Sequence, residues 1–331
     1  MENTAEKMIT PEEINDFINK SITLLQEKYV FPDVAKEIVS LLDKNLKQGK
    51  YNSEFSFDKF KELIHADLQS INGDKHLHIW YQEEKLEDTD AVSDEEMQQE
   101  YRRVAEKNNY GFHRVERLPG NVGYIDLRAF YDNAIGSETA ANAMNTIIHT
   151  DALLVDLRKN VGGSPYMVAM LASYFVQEPT HIESFYNRET DSTSQVWTLP
   201  HVPGKLYGDK PVYVLTSKKT FSAGEMFSYA LKHLGRATVI GENTGGGANP
   251  GNYHQVTKHI RLFISSGRSI SPFTGTNWEG IGVEPDIKVS ADEAYEVAYQ
   301  KALLDVKQKY QDQKGFAFLV KEAEEELQKL K

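Results

Sequence analysis

Cysteine is absent from this chain of 331 residues, which excludes disulfides, thiol nucleophiles and thiolate metal centres. Long apolar runs are absent too, and no stretch approaches the ~18 residues of a membrane span. Basic charge is scarce: 37 lysines and arginines stand against 49 aspartates and glutamates, a net charge of −12. That deficit argues against nucleic acid or an anionic membrane as partner, since each is held through a basic footprint. The first residues carry no basic segment followed by an apolar one, so no signal peptide is visible. The expectation is a soluble cytoplasmic protein, although a trimmed exported one would read the same way. There is no internal repeat and no low-complexity segment, and nothing in the sequence speaks to oligomeric state.

What is present reads first as helices. Thr10-Pro11-Glu12-Glu13 combines an N-cap, a proline at N1 and an acidic N3. Ile14, Phe17, Ile18, Ile22 and Leu25 continue it as one apolar face. A second helix is expected from about Pro32 (Val34, Ile38, Leu41, Leu42) and a third from about Ser56 (Phe60, Leu63, Ile64, Leu68), so residues 1–70 read as a small helical bundle. Leu77 to Tyr81 reads as a short strand, and Ser93 as the cap of a solvated helix in the acidic stretch that follows. Pro119-Gly120-Asn121 between two β-prone runs is a hairpin signal. Beyond it, strands at 153–157, 212–215 and 237–240 alternate with helices at 165–175 and after Ser222, the pattern of an α/β fold with a partly parallel sheet. Residues 183–210 look like an irregular β excursion. Ser290 caps a long helix, and a second, charged one starts near Phe316. The expected division is an N-terminal helical bundle over 1–70, an α/β core over 71–290 and C-terminal helices over 291–331.

Residues 211–247 carry the strongest chemical signal. An apolar strand (Val212 to Leu215) leads through a polar turn to Ser222, which opens a helix marked by Met226, Phe227, Ala230, Leu231 and Leu234 and closed by Gly235. A hydroxyl at a helix N-terminus sits where backbone N–H groups and the dipole can stabilise an oxyanion, so Ser222 is a candidate nucleophile. The same residues, Ser222-Ala223-Gly224-Glu225, form a capping box, and on this segment alone capping is the stronger reading. The glycine turn after Asp156 offers Gly162 or Gly163 as a second oxyanion donor beside the N–H of Ala223.

Asp74, His76 and His78 fall on one face by the period of two at the mouth of a strand. A neutral imidazole is the usual base for a serine, while D-x-H-x-H spacing could instead hold a metal. No H-E-x-x-H accompanies it. A base histidine needs an orienting carboxylate, and residues 278–286 offer Glu279, Glu284 and Asp286 without choosing among them. The glycine-rich 241–251 segment lacks the lysine and Ser/Thr of a P-loop and reads as a tightly turned loop.

Four motifs in order, D-L-R-x-N-x-G-G (Asp156 to Gly163), T-S-x-x-T-x-S-A-x-E (Thr216 to Glu225), G-E-x-T-x-G-G (Gly241 to Gly247) and E-G-x-G-V-x-P-D (Glu279 to Asp286), resemble the tail-specific, or C-terminal-processing, serine protease family. The likeness is to the branch holding interphotoreceptor retinoid-binding protein modules and the tricorn core, and it spans about residues 70–290. It implies a spiral β-β-α core of the crotonase and Clp-protease type, with Ser222 as nucleophile, His76 as base and Glu279 as its partner. Typical members place a lysine base where this chain has Gly247, so a Ser-Lys dyad is not available. They also insert a PDZ domain, for which the segment from Tyr81 to Gly111 is too short. Tricorn-like enzymes have a serine before the histidine where this chain has Lys75, so coupling of glutamate to histidine would be direct or through water. The resemblance implies a serine peptidase working on peptide or unfolded protein without metal or cofactor, with Ala223 and Gly162 or Gly163 as the oxyanion hole. The alternative is a non-catalytic module for apolar ligands on the same fold, kept open by Lys75 and the missing lysine.

Overall fold

The computed structural model describes residues 7–82 and 94–330. The chain divides into two compact units, one comprising Met1–Met97, Phe185–Ser194 and Asn249–Ile270, the other Gln98–Ser184, Gln195–Ala248 and Ser271–Lys331. Among the described residues no helix is long and apolar enough to cross a membrane.

In the first unit the N-terminal helices form where their caps place them, as Pro11–Lys28, Pro32–Lys47 and Phe57–Leu68. Thr10 and Glu13 exchange the two bonds of a capping box, at 3.0 and 3.3 Å. Ser56 Oγ accepts from the Lys59 N–H at 3.4 Å. Their apolar faces merge around Phe17, Leu25, Ile38, Phe60 and Ile64, and strands from far along the chain complete this core. An antiparallel sheet runs in the order Gly251–Gln255, Ile260–Ser265, His78–Tyr81. Its buried residues alternate as the pleat requires: Ile260, Leu262, Ile264 and Ile79 point into the core, while Trp80 faces out.

The second unit is built on a six-stranded sheet. Its order is Ile287–Lys288, Thr238–Gly241, Val212–Thr216, Ala152–Asp156, Val122–Leu127, Phe112–Leu118. All neighbours are parallel except the last pair, the expected hairpin around Pro119–Asn121. Helix Ala291–Tyr310 covers one face, packing Ala294, Ala298, Ala302 and Leu303 on Tyr124, Leu154, Tyr213 and Leu215. Val155, Val212 and Val214 are buried as well, so the central strands are covered on both faces and read as continuous apolar runs. The helices expected after Pro165, Ser222, Ser290 and Phe316 are all present. The β excursion expected over 183–210 holds His181–Asn187 and Ser192–Trp197. The cap expected at Ser93 lies outside the described residues, and the helix beyond it is Asp94–Lys107.

Because Phe60 is fully buried and meets Phe17 edge to face at 5.4 Å, Phe60→Ala leaves a large cavity in the first unit. Urea denaturation is expected to register a loss of about 3–5 kcal/mol; a loss below about 1 kcal/mol would mean that this core collapses to fill the space.

Candidate active site

Three loops of the second unit follow the carboxyl ends of adjacent parallel strands, the place where open α/β sheets bind ligands. The loop after Val212–Thr216 ends in Ser222. It is stitched to the loop after Ala152–Asp156 by Thr220 Oγ1 donating to the Leu157 carbonyl (2.8 Å), Ser217 Oγ to that of Arg158 (2.6 Å) and the Phe221 N–H to that of Asn160 (3.0 Å). Ser222 itself has φ 52° and ψ −117°, a conformation that a residue with a Cβ adopts only under constraint, at a cost of roughly 1–3 kcal/mol.

Glu225 supplies that constraint. Its carboxylate is fully buried and takes four donors. The Ser222 N–H (2.8 Å) and Gly247 N–H (2.9 Å) bond Oε2, and Thr244 Oγ1 (2.5 Å) and the Gly246 N–H (2.6 Å) bond Oε1. Burial pushes the carboxyl up to about 7, against the four donors that hold it down. Ser222 and Glu225 form the capping box expected from the sequence: the Glu225 carboxylate takes the Ser222 N–H, and the Glu225 N–H also meets the Ser222 carbonyl at 2.9 Å.

The glycine turn lies directly against this serine. A Cβ on Gly162 would stand 2.8 Å from Ser222 Cβ and 3.2 Å from the Ala223 nitrogen. Of the two glycine amides expected as oxyanion donors, that of Gly162 is already committed, donating to Asn160 Oδ1 at 2.9 Å. Asn160, overlooked in the sequence, is the hub of this corner. It is fully buried, and its Nδ2 donates to the Leu127 carbonyl at 2.9 Å while its Oδ1 and carbonyl hold Gly162 and Phe221. An asparagine amid the paired glycines of a turn was the available signal.

Among the three acidic candidates, Glu279 sits on the turn beside the third loop. Its Oε2 accepts from the Ala248 N–H at 2.5 Å, and its neighbour Trp278 donates from Nε1 to the Gly247 carbonyl at 2.8 Å. Asp286 is taken up structurally, accepting from the Val239 N–H (2.8 Å) and pairing with Lys232 (3.0 Å). The Glu284 side chain is exposed. Ser222, Ala223, Gly162, Gly163 and Glu279 thus belong to one unit, and His76 to the other.

In the first unit His76 is buried beside Asp74, whose Oδ1 accepts the His76 N–H at 2.9 Å and lies 4.0 Å from its Nδ1. Asp74 is fixed in turn by Tyr29 Oη (3.0 Å) and Asn249 Nδ2 (3.3 Å). Burial pushes the imidazole down to about 4; Asp74 pulls it back up and His78 adds to the lowering. The expected period of two does not hold here. Asp74 to Leu77 form a turn closed by the Leu77 N–H on the Asp74 carbonyl (3.2 Å), and the strand begins only at His78. His78 has both ring nitrogens in hydrogen bonds, Nδ1 with the His76 carbonyl and Nε2 with Tyr253 Oη, each at 2.7 Å. The D-x-H-x-H spacing therefore does not present three open ligands to a metal.

The sequence pattern of peptidase family S41 matches residues 121–289, and that of the N-terminal domain of peptidase S41 in eukaryotic IRBP matches residues 3–111. A carboxy-terminal-processing protease of Bartonella bacilliformis is 27% identical over 177 residues, covering 52% of this chain and 40% of that protein. The tricorn protease of Thermoplasma volcanium is 26% identical over 225 residues, covering 62% of this chain and 19% of that protein. The chain thus spans well under half the length of these curated relatives. The solved structure of a lipoprotein from Streptococcus agalactiae superposes with a TM-score of 0.57 at 16% identity, over 89% of this chain and 96% of that one, a likeness of fold.

Gly162 has φ +98° as well as no room for a methyl group. Gly162→Ala is expected to cost roughly 1–3 kcal/mol in stability and, by displacing Ser222, to slow labelling by a fluorophosphonate more than about tenfold. Labelling at the wild-type rate would mean that the turn yields without moving the serine.

Proposed function

The chain belongs to peptidase family S41, and on that premise we propose that it is a serine peptidase acting on peptide or unfolded-protein substrates. Ser222 Oγ gives its proton to His76 as it bonds to the substrate carbonyl carbon. The N–H groups of Ala223 and Gly163 take the oxyanion, and Glu279 stabilises the imidazolium. Collapse of the tetrahedral adduct breaks the C–N bond. The leaving amine takes the proton from His76, and an acyl-enzyme remains on Ser222. Water, activated by the same histidine, then cleaves the ester and restores the serine.

The observation that carries this reading is the conformation of Ser222. Four hydrogen bonds into a buried carboxylate, one of them from the serine's own N–H, and a glycine with no room for a methyl group hold a serine in a strained conformation at the start of its helix. A serine wanted only as a cap would relax to an extended conformation, as Thr10 and Ser290 do at φ −76° and −64°. Burial keeps the His76 imidazole neutral at neutral pH, and the same burial opposes the imidazolium, which Glu279 is assigned to offset. With His76 as the base, the proposal requires no lysine at position 247.

Intact mass after fluorophosphonate treatment tests the proposal. One adduct is expected on the wild type and none on Ser222→Ala or His76→Ala, while Glu279→Gln labels at least about tenfold more slowly. A folded wild type that takes no adduct overturns it.

The pH dependence follows from the burial of His76. Its unfolded value is 6.5 and its folded value about 4. The folded state therefore binds fewer protons, and the stability His76 contributes is present in full above pH 6.5 and lost as pH falls through about 4. Peptide turnover, expressed as kcat/KM, is expected to keep its acid limb well below 6.5. An acid limb centred near 6.5 would show that the base is a solvated imidazole instead.

A further inference from the structure

Among the described residues, the three most exposed large apolar ones are Ile281 at 73%, Val161 at 68% and Tyr166 at 59%. Single apolar residues on a surface need no explanation, and Trp80 at 58% and Phe318 at 57% are such cases, but these three stand on backbone tied to the loops around Ser222. Val161 lies between Asn160, whose carbonyl holds the Phe221 N–H, and Gly162, which touches Ser222. Tyr166 is the second residue of the helix that begins just past Gly163. Ile281 lies between Gly280 and Gly282. The Gly280 N–H bonds the Gly246 carbonyl at 3.0 Å, and the Gly246 N–H shares Glu225 with the backbone of Ser222.

Both turns are fixed, by the Val161 N–H on the Arg128 carbonyl (3.1 Å) and the Gly282 N–H on that of Trp278 (2.9 Å). Positions such as these ordinarily carry glycine, asparagine or another small polar residue. Here β-branched apolar side chains stand out from them, adding nothing to the core, on rigid backbone hydrogen-bonded to the loops that shape the serine.

We propose that Val161 and Ile281, with Tyr166 beside the former, are the specificity-determining residues of the peptidase, binding apolar side chains on the substrate residues that border the scissile bond. The proposal rests on Ser222 being the nucleophile. Covering these side chains removes apolar surface from water on enzyme and substrate alike. A charged substrate side chain laid against them loses its hydration and finds no partner, so it is rejected.

Cleavage of a mixed peptide library, with the residues at each cut read by mass spectrometry, tests this on the wild type, Val161→Thr, Ile281→Thr, the double variant and Ile281→Leu. Threonine keeps the β-branch and with it the backbone preference of the turn. Fluorophosphonate labelling rates are measured in parallel, since they report the serine without a peptide. The wild type is expected to cut between apolar residues. Each threonine variant should lose about tenfold of that preference at an unchanged labelling rate, and Ile281→Leu should retain it. Threonine variants with the wild-type preference overturn the proposal, as does labelling that falls in step with cleavage, the mark of a merely structural role. A wild type that labels and cleaves without apolar preference overturns this inference alone. One that neither labels nor cleaves overturns the peptidase reading with it.

Discussion

The carboxylate of Glu225 is the point on which the second unit's functional loops depend. A carboxylate in an apolar interior is tolerated only when its lone pairs are met by donors, and here Ser222 supplies one donor while Thr244, Gly246 and Gly247 of a second loop supply three. Satisfying the charge therefore fixes the backbone of Ser222 and that of Gly246 and Gly247 together. Thr244 extends the chain of constraint, since its hydroxyl also accepts the Val283 N–H at 2.6 Å and so reaches the turn that carries Glu279. A strained serine, a closed glycine loop and a placed glutamate are in this sense one feature.

The first unit solves a different problem, that of keeping an imidazole uncharged beside a carboxylate. Asp74 alone would raise the His76 pKa, but its own oxygens are engaged by Tyr29, Asn249 and the His76 backbone, and burial outweighs its pull. His65 is held down in the same way, to about 4 and chiefly by burial, with its Nε2 accepting the Ile79 N–H at 2.9 Å. The neighbourhood as a whole thus favours neutral rings.

Features legible in the sequence were those set by short-range rules. Thr10 and Glu13, Ser290 and Glu293, and the Pro119–Asn121 hairpin announce themselves within a few residues because their partners are that close. Helix Asn133–Ile147 escaped notice because its buried face is mostly small, Gly136, Ala140, Ala141 and Ala143, with Met144 and Ile147 only at its end, which leaves little apolar period to read. The strands Gly251–Gln255 and Ile260–Ser265 were missed for another reason: their pairing with His78–Tyr81 joins segments far apart in the chain. At the site, Ser222 and its glycines were visible as residue types in a pattern. The strain at Ser222, the commitment of the Gly162 amide and the hub role of Asn160 were not, because each depends on dihedral angles and on partners that only the fold supplies. Asp74 to His78 misled through the assumption that a strand begins where its polar residues do.

The discontinuity of the first unit bears on how the chain is made. Its core needs Val256, Ile260, Leu262 and Ile264 as much as it needs Phe17 and Phe60. During synthesis at about 5–20 residues per second, the N-terminal helices leave the ribosome on the order of ten seconds before those strands follow. For that interval the apolar stripes of Pro11–Lys28 and Phe57–Leu68 have no sheet to cover them, and closure of this core waits on the strands that follow.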